Sequence, residues 1–72
     1  MVEVVNDPAE RRYEALSDGK VVGVIDYVLD GDTITLVHTI VPAEFEGQGI
    51  ASQLARFAID DSRSAGHHII PK

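Results

Sequence analysis

The stretch EFEGQGIASQLARFAIDDSRSAG, residues 44–66, decides how this chain is read. Its second part repeats apolar side chains at helical spacing. Ile50, Ala51, Leu54, Ala55, Phe57, Ala58 and Ala65 fall on one arc, while Ser52, Arg56, Asp60 and Arg63 fall on the other. That is the pattern of a helix lying on a sheet, expected from Gly47 to Ala65 with Gly66 as its C-terminal cap. The first part sets Gly47 and Gly49 at the helix start, where glycine costs helix stability. A helix start leaves about four backbone N–H groups without partners and carries roughly half a positive charge. No Ser, Thr, Asp or Asn precedes this one to cap those groups, since the positions are held by Glu44, Phe45 and Glu46. A bare glycine turn lets a diphosphate come close to such amides. The alternative is that Gly47 is a tolerated N-cap and Gly49 a packing contact against the sheet.

Upstream, three segments read as an antiparallel meander. RRYEAL (11–16) is strand-like, and Asp18-Gly19 tolerates the positive φ of a tight hairpin. VVGVIDYVLD (21–30) is dense in β-branched residues, and the DGD at 30–32 repeats the turn signal before TITLVHTIV (33–41). Alternation puts Ile34, Leu36, His38 and Ile40 on one face of that last strand, and Thr33, Thr35, Val37, Thr39 and Val41 on the other. With Gly31 and Asp32 as the hairpin loop, Tyr27 lies opposite Leu36 and Ile25 opposite His38. Pro42 ends the strand. Residues 1–9, VEVV and then NDP, read as a first short strand or arm and a turn. HHIIP (67–71) reads as a final strand added beside the third of the meander after the helical crossover. The expectation is one α+β domain over residues 1–72: antiparallel β-meander, long helix, final strand.

Composition bounds what such a domain does. At 72 residues the fold buries about 60% of its chain's surface, close to the limit of independent stability. There is no cysteine, so disulfides, thiolate metal sites and a cysteine nucleophile are excluded. No apolar run approaches the roughly 18 residues of a membrane span, and the start has no basic segment leading into an apolar one. A cytoplasmic protein without a membrane partner is expected. The net charge of −6, with six basic residues spread along the chain, argues against a nucleic-acid partner and suits a cationic or neutral substrate.

The run HTIVPAEFEGQGIASQLARFAIDDSRSAG, with His-Thr and Val-Pro ahead of GQGIA and a closing IIP, resembles motif A of the GNAT acetyltransferase superfamily. In particular it is similar to the superfamily's short branch of under about 100 residues, and the resemblance covers roughly residues 11–71. It implies a GNAT-like minimal fold and a site for acetyl-coenzyme A. Carried over by position, the turn amides of Glu46, Gly47, Gln48, Gly49, Ile50 and Ala51 hold the pyrophosphate, and Thr39, Ile40 and Val41 offer backbone groups to the pantetheine arm. Two departures stand out. Glu46 occupies the place where the superfamily's turn has Gln or Arg, and with Glu44 it sets two carboxylates beside a site for phosphates. The short branch also continues into a PxC segment where this chain reads Pro71-Lys72, so part of one cleft wall is absent.

His38 is the candidate to take a proton from an attacking ammonium, as the imidazole is the ordinary proton carrier near neutral pH. Its apolar neighbours favour a buried, hydrogen-bonded role instead. Tyr27 reads as core rather than general acid. His67 and His68 point to opposite faces of a strand and make no metal pair. No metal site is expected. Ser52 can bond a phosphate oxygen, and His67 or Arg56 the coenzyme's outer phosphate. Arg56, Asp60 and Arg63 otherwise form a solvated face. The function expected is transfer of an acetyl group from acetyl-coenzyme A to a small-molecule or peptide amine. The alternative is a noncatalytic coenzyme-binding or interaction module of the same fold. A homodimer suits either, because the second sheet face, with Val22, Val24 and Val37, lacks a covering helix.

Overall fold

The computed structural model describes residues 2–71. Strands β1 (Val2–Asp7), β2 (Arg12–Ser17), β3 (Lys20–Asp30) and β4 (Thr33–Ile40) follow one another antiparallel. A 3-10 turn (Ala43–Phe45) leads into helix α1 (Ile50–Ser64), and β5 (His68–Pro71) returns parallel to β4. The sheet order is β1-β2-β3-β4-β5, so the segment read as a strand or an arm is the first strand of a longer meander. Met1 and Lys72, included in the segments read above, lie outside the described residues.

Both central hairpins turn on two residues, as the sequence signals require. Asp18 and Gly19 have φ of 52° and 78°, and Gly31 has 59°. The helix begins at Ile50 rather than Gly47, because Gly47 and Gly49 hold φ of 83° and 75°, outside the right-handed helical region. At the other end Gly66 caps as expected. With Gly66 at φ 78°, its N–H donates to the Arg63 carbonyl (3.0 Å) and the His67 N–H to that of Ser62 (2.9 Å), the paired bonds of a Schellman motif.

Helix α1 buries one stripe at four-residue spacing: Ile50, Leu54, Ala58 and Ser62. Ala51, Phe57 and Ala65, read as part of the apolar arc, are exposed, because a lone helix meets a sheet along a narrow line. Beneath that line the sheet is made of small residues, with buried Ala15 and Gly23 directly opposite each other on β2 and β3. Tyr13 and Ile25, the next facing pair, are also buried. Each fully buried Leu or Ile here contributes about 1.5–3 kcal/mol. Ser62 is buried but satisfied, its hydroxyl 3.5 Å from that of Tyr13, which donates to Asp61 Oδ2 at 2.9 Å. Tyr27 is core, 7% exposed, with its hydroxyl donating to Asn6 Oδ1 (2.9 Å) and its ring 5.2 Å from that of Tyr13.

Two register shifts rearrange the faces. Tyr27 pairs with Leu36 as expected, but Asp26 pairs with His38 and Ile25 with Thr39, leaving Val37 as an extra residue in β4. This β-bulge turns the strand over. His38 and Ile40 leave the face of Ile34 and Leu36 and join Asp26 and Val24 on the side away from α1, while Thr39 takes the helix side. His38 is therefore exposed, not buried among apolar partners. A second shift, between Ala15 and Leu16, leaves Val22 unpaired in β3. Val22, expected on the uncovered face, is only 2% exposed and belongs to the core. The uncovered face keeps Val21, Val28, Ile40 and Ile70 exposed.

Burial, chiefly, pushes the Tyr13 phenol up to about 12, with the hydrogen bond to Ser62 opposing and Asp61 adding to the rise. A tyrosine in an unfolded chain titrates near 10. The folded chain holds this proton more tightly, so the stability it confers is complete below about pH 10 and is lost as pH climbs toward 12. Urea midpoints should fall across that range in the parent protein and fall less in Tyr13→Phe.

Candidate functional site

Between β4 and α1 the chain makes a 3-10 turn and then passes two positive-φ glycines. In the turn the Phe45 N–H donates to the Pro42 carbonyl (2.9 Å) and the Glu46 N–H to that of Ala43 (3.2 Å). The Glu46 amide, expected to face an anion, is thus engaged within the turn. The next amide to find a carbonyl is that of Gln53, which donates to Gly49 (3.1 Å), and no side chain caps the helix. Among the described residues, the N–H groups of residues 47–52 have no protein partner. They sit at the positive end of the helix dipole.

This turn borders a cavity of about 670 Å³. Its walls are Thr39, Ile40 and Val41 at the end of β4, Phe45 and Glu46, Gly47 and Gly49, and Ile50, Ala51 and Ser52 of the first helical turn. The structure so brings together all but one of the residues proposed from sequence for the pyrophosphate and the pantetheine arm, while Arg56 and His67, proposed for the outer phosphate, lie outside these walls. The exception, Gln48, is exposed and outside these walls. Phe45 was not anticipated, and its only signal was an aromatic side chain in an otherwise polar loop. The β4 wall is open because β5 pairs with β4 only from Thr33 to Leu36. Beyond that point the outer edge of Thr39–Val41 has no strand against it among the described residues.

Nothing lies within 4 Å of where a Cβ would stand on Gly47 or Gly49. Gly49 is therefore not a packing glycine, and both positions are glycine for their φ. The packing glycine is Gly23, whose added Cβ would meet Ile50 Cγ2 at 2.9 Å, Leu54 Cδ1 at 3.1 Å and Val41 Cγ2 at 3.4 Å. Glu44 and Glu46 are both exposed at the mouth. Between them, Phe45 meets a cation from far away in the chain, with Lys20 Nζ 5.9 Å from its ring centroid, a cation–π contact.

His38 precedes Thr39 but faces the other side of the sheet and does not line the cavity. His67 is half-buried and His68 exposed, and the His68 N–H donates to the Asp32 carbonyl (2.7 Å). Among the described residues no cluster of His, Asp or Glu could hold a metal ion, and no helix is long and apolar enough to cross a membrane.

A meander that passes through a glycine turn and a crossing helix into a parallel last strand is the GNAT-type α+β arrangement. A family model described as GCN5-related N-acetyl-transferase matches residues 12–72, and the chain belongs to that family. The ribosomal-protein-S18-alanine N-acetyltransferase of Escherichia coli is similar in structure, with a TM-score of 0.71 at 24% identity over 79% of this chain and 38% of that one. A GNAT-family acetyltransferase of Streptococcus pneumoniae TIGR4 gives 0.66 at 31% identity over 85% of this chain and 46% of its own. The PaiA N-acetyltransferase of Thermoplasma acidophilum, solved in complex with coenzyme A, gives 0.69 at 18% identity over 76% and 35%. The chain thus spans less than half the length of these relatives. No curated protein matches it in sequence.

The geometry predicts that Gly23→Ala lowers stability by about 1–3 kcal/mol through overpacking against Ile50 and Leu54. Because Ile50 must move, the amide signals of Gly47 and Gly49 should shift as well. Denaturant titration with amide spectra of the variant checks both.

Proposed function

We propose that the chain is a small acetyl-coenzyme A dependent N-acetyltransferase that moves an acetyl group to a primary amine by direct attack. The observation that carries this reading is the uncapped helix start, with free amides over residues 47–52 bordering a cavity of about 670 Å³. A diphosphate needs backbone donors at the positive end of a helix and room to approach, and the two glycines leave both. Ser52, on the first turn of α1, lines the same cavity, and its hydroxyl is the side-chain donor proposed for a phosphate oxygen. A pantetheine arm needs an extended edge to lie along, and Thr39–Val41 present one. The coenzyme complex of the Thermoplasma relative supports the same ligand.

Glu44 and Glu46 oppose it. Like charges a few ångströms apart cost about 1 kcal/mol even in water. The contact is made largely by backbone amides, so the coenzyme should bind, though more weakly than to a turn with Gln or Arg at position 46.

Acetyl-coenzyme A supplies the activated acyl group as a thioester. The chain supplies position and electrostatics: the 47–52 amides fix one end, the edge of β4 aligns the arm, and a backbone N–H near Val41 stabilises developing oxyanion charge. With no cysteine in the sequence, the amine attacks without a cysteine-linked intermediate. The proton it sheds leaves to water at the open mouth of the cavity, because His38 lies on the opposite side of the sheet, across from Asp26.

One observation favours a second reading, an interaction module. The open face exposes Val28 (55%), Ile40 (53%) and Ile70 (47%), the kind of surface a second copy of the chain covers.

Coenzyme A titrated into isotope-labelled protein should shift the Gly47 and Gly49 amide signals, and silence there at millimolar ligand overturns the enzyme reading. Gly49→Val forces a β-branched residue to positive φ and should abolish both binding and transfer. Binding without transfer to any of a panel of amines leaves the interaction module. His38→Gln should keep coenzyme affinity and leave kcat within about twofold of the parent's, because the imidazole faces away from the cavity. A loss of about a hundredfold would instead put His38 on the proton path.

A further inference from the structure

The outer edge of β1 has no strand against it among the described residues, because β1 stands first in the sheet order. An open edge is a template for another strand, and monomeric proteins blunt it with lysine, proline, a bulge or a covering element. β1 carries none of the first three. Its sequence VEVVND holds neither Lys nor Pro, and its register to β2 runs unbroken from Val2 to Asp7. We propose that this edge pairs with β1 of a second copy of the chain, antiparallel about a two-fold axis. The contact is separate from the open sheet face and independent of the enzyme reading.

The faces of β1 select the register. Val4 and Asn6 lie opposite the buried Ala15 and Tyr13 of β2, so Val2, Val4 and Asn6 face the helix side and Glu3, Val5 and Asp7 face away. Residues directly opposite in an antiparallel pair share a face, so a two-fold axis between identical strands passes at a residue position. Centred on Glu3, it sets two Glu3 carboxylates against each other, and centred on Val5 it sets Glu3 against Asp7. Like charges so placed are destabilising. A centre at Val2 or Asn6 pairs too little of the strand. Centred on Val4, valine meets valine, Val2 meets Asn6 and Glu3 meets Val5, with no carboxylates opposed.

The helix side supplies the rest of the contact. Copies related in this way carry α1 on the same side of the shared sheet and antiparallel, so the groove between α1 and β1 in one copy runs into that of the other. This groove, a cavity of about 420 Å³, has Val2 and Val4 on one side and Arg56, Phe57 and Asp60 on the other. Phe57 is 37% exposed and outside the buried stripe of α1, where a solvated helix gains little from an aromatic side chain. A second copy covers it. Arg56 and Asp60 stand one helical turn apart and form no ion pair among the described residues. Antiparallel helices reverse their order, which brings Arg56 of one copy to the end where the partner's Asp60 stands. The surface is thus complementary to itself in charge, as an interface about a two-fold axis requires.

Sedimentation equilibrium of the full chain should give twice the 7.8 kDa monomer mass at micromolar concentration. Val4→Lys sets two ammonium groups at the axis and should raise the dissociation constant about tenfold or more, while circular dichroism and amide spectra stay those of the folded chain. Because the chain has no cysteine, single-cysteine variants report the contact directly. Mild oxidation should link Val4→Cys into a dimer and leave Val28→Cys, on the open face, unlinked. Arg56→Asp should weaken the dimer about tenfold, and adding Asp60→Arg to it should restore the parent's affinity. A monomer at millimolar concentration leaves the edge to a different partner and overturns the proposal, as does linkage through Val28→Cys without Val4→Cys, or growth beyond the dimer. A charge swap no tighter than Arg56→Asp alone overturns the antiparallel pairing of the helices.

Discussion

Ile50 and Leu54 rest on the sheet at a point where β3 has no side chain. A Cβ on Gly23 would stand 2.9 Å from Ile50 Cγ2 and 3.1 Å from Leu54 Cδ1, so the helix sits as low as backbone permits. The same point lies 3.4 Å from Val41 Cγ2, which ties the end of β4 into the contact. Helix α1 needs this seat. An isolated helix of its 15 residues is marginal in water, and it starts with two glycines and no side-chain cap. Tertiary packing along Ile50, Leu54, Ala58 and Ser62 offsets what the open start forgoes. The free amides and the fold that presents them thus depend on one contact.

The second constraint is the bulge at Val37. Without it β4 would alternate regularly, and His38 would face the helix with Leu36. The extra residue splits the strand. From Thr33 to Leu36 it is an ordinary member of the sheet, paired on both sides, and from Thr39 to Val41 it is a wall with one free edge. The two sides of that wall differ, with the cavity and the uncapped helix start on one and an exposed imidazole paired across from Asp26 on the other. The loop that carries Glu44 and Glu46 is met by a part distant in sequence, since Lys20 of the β2–β3 hairpin lies over the Phe45 ring.

Much of the architecture was legible in short-range patterns. Asp18-Gly19 and Gly31-Asp32 turned where turn chemistry demands, and Gly66 capped the helix by a Schellman motif. Tyr27 met Leu36 because the hairpin loop falls at Gly31-Asp32, and all but one of the residues proposed for the pyrophosphate and the pantetheine arm came to line one cavity. The failures have a common physical origin. A bulge adds a single residue with no sequence signature of its own, and each one inverts the faces of everything beyond it. That is why the partner of His38 is Asp26 and not Ile25, and why Val22 is core. The helix stripe was read too wide because periodicity reports which residues can share a side, not how wide a contact the sheet offers.

The sequence by itself determined the order of elements, the turns, and the glycine positions where only a bare backbone holds positive φ, because each of these rests on local energetics within a few residues. The tertiary structure alone decided which glycine packs and which ones expose amides, and which face of β4 carries His38. Those outcomes depend on register and on the fit of a helix to a sheet, interactions between residues far apart in the chain that no local pattern encodes.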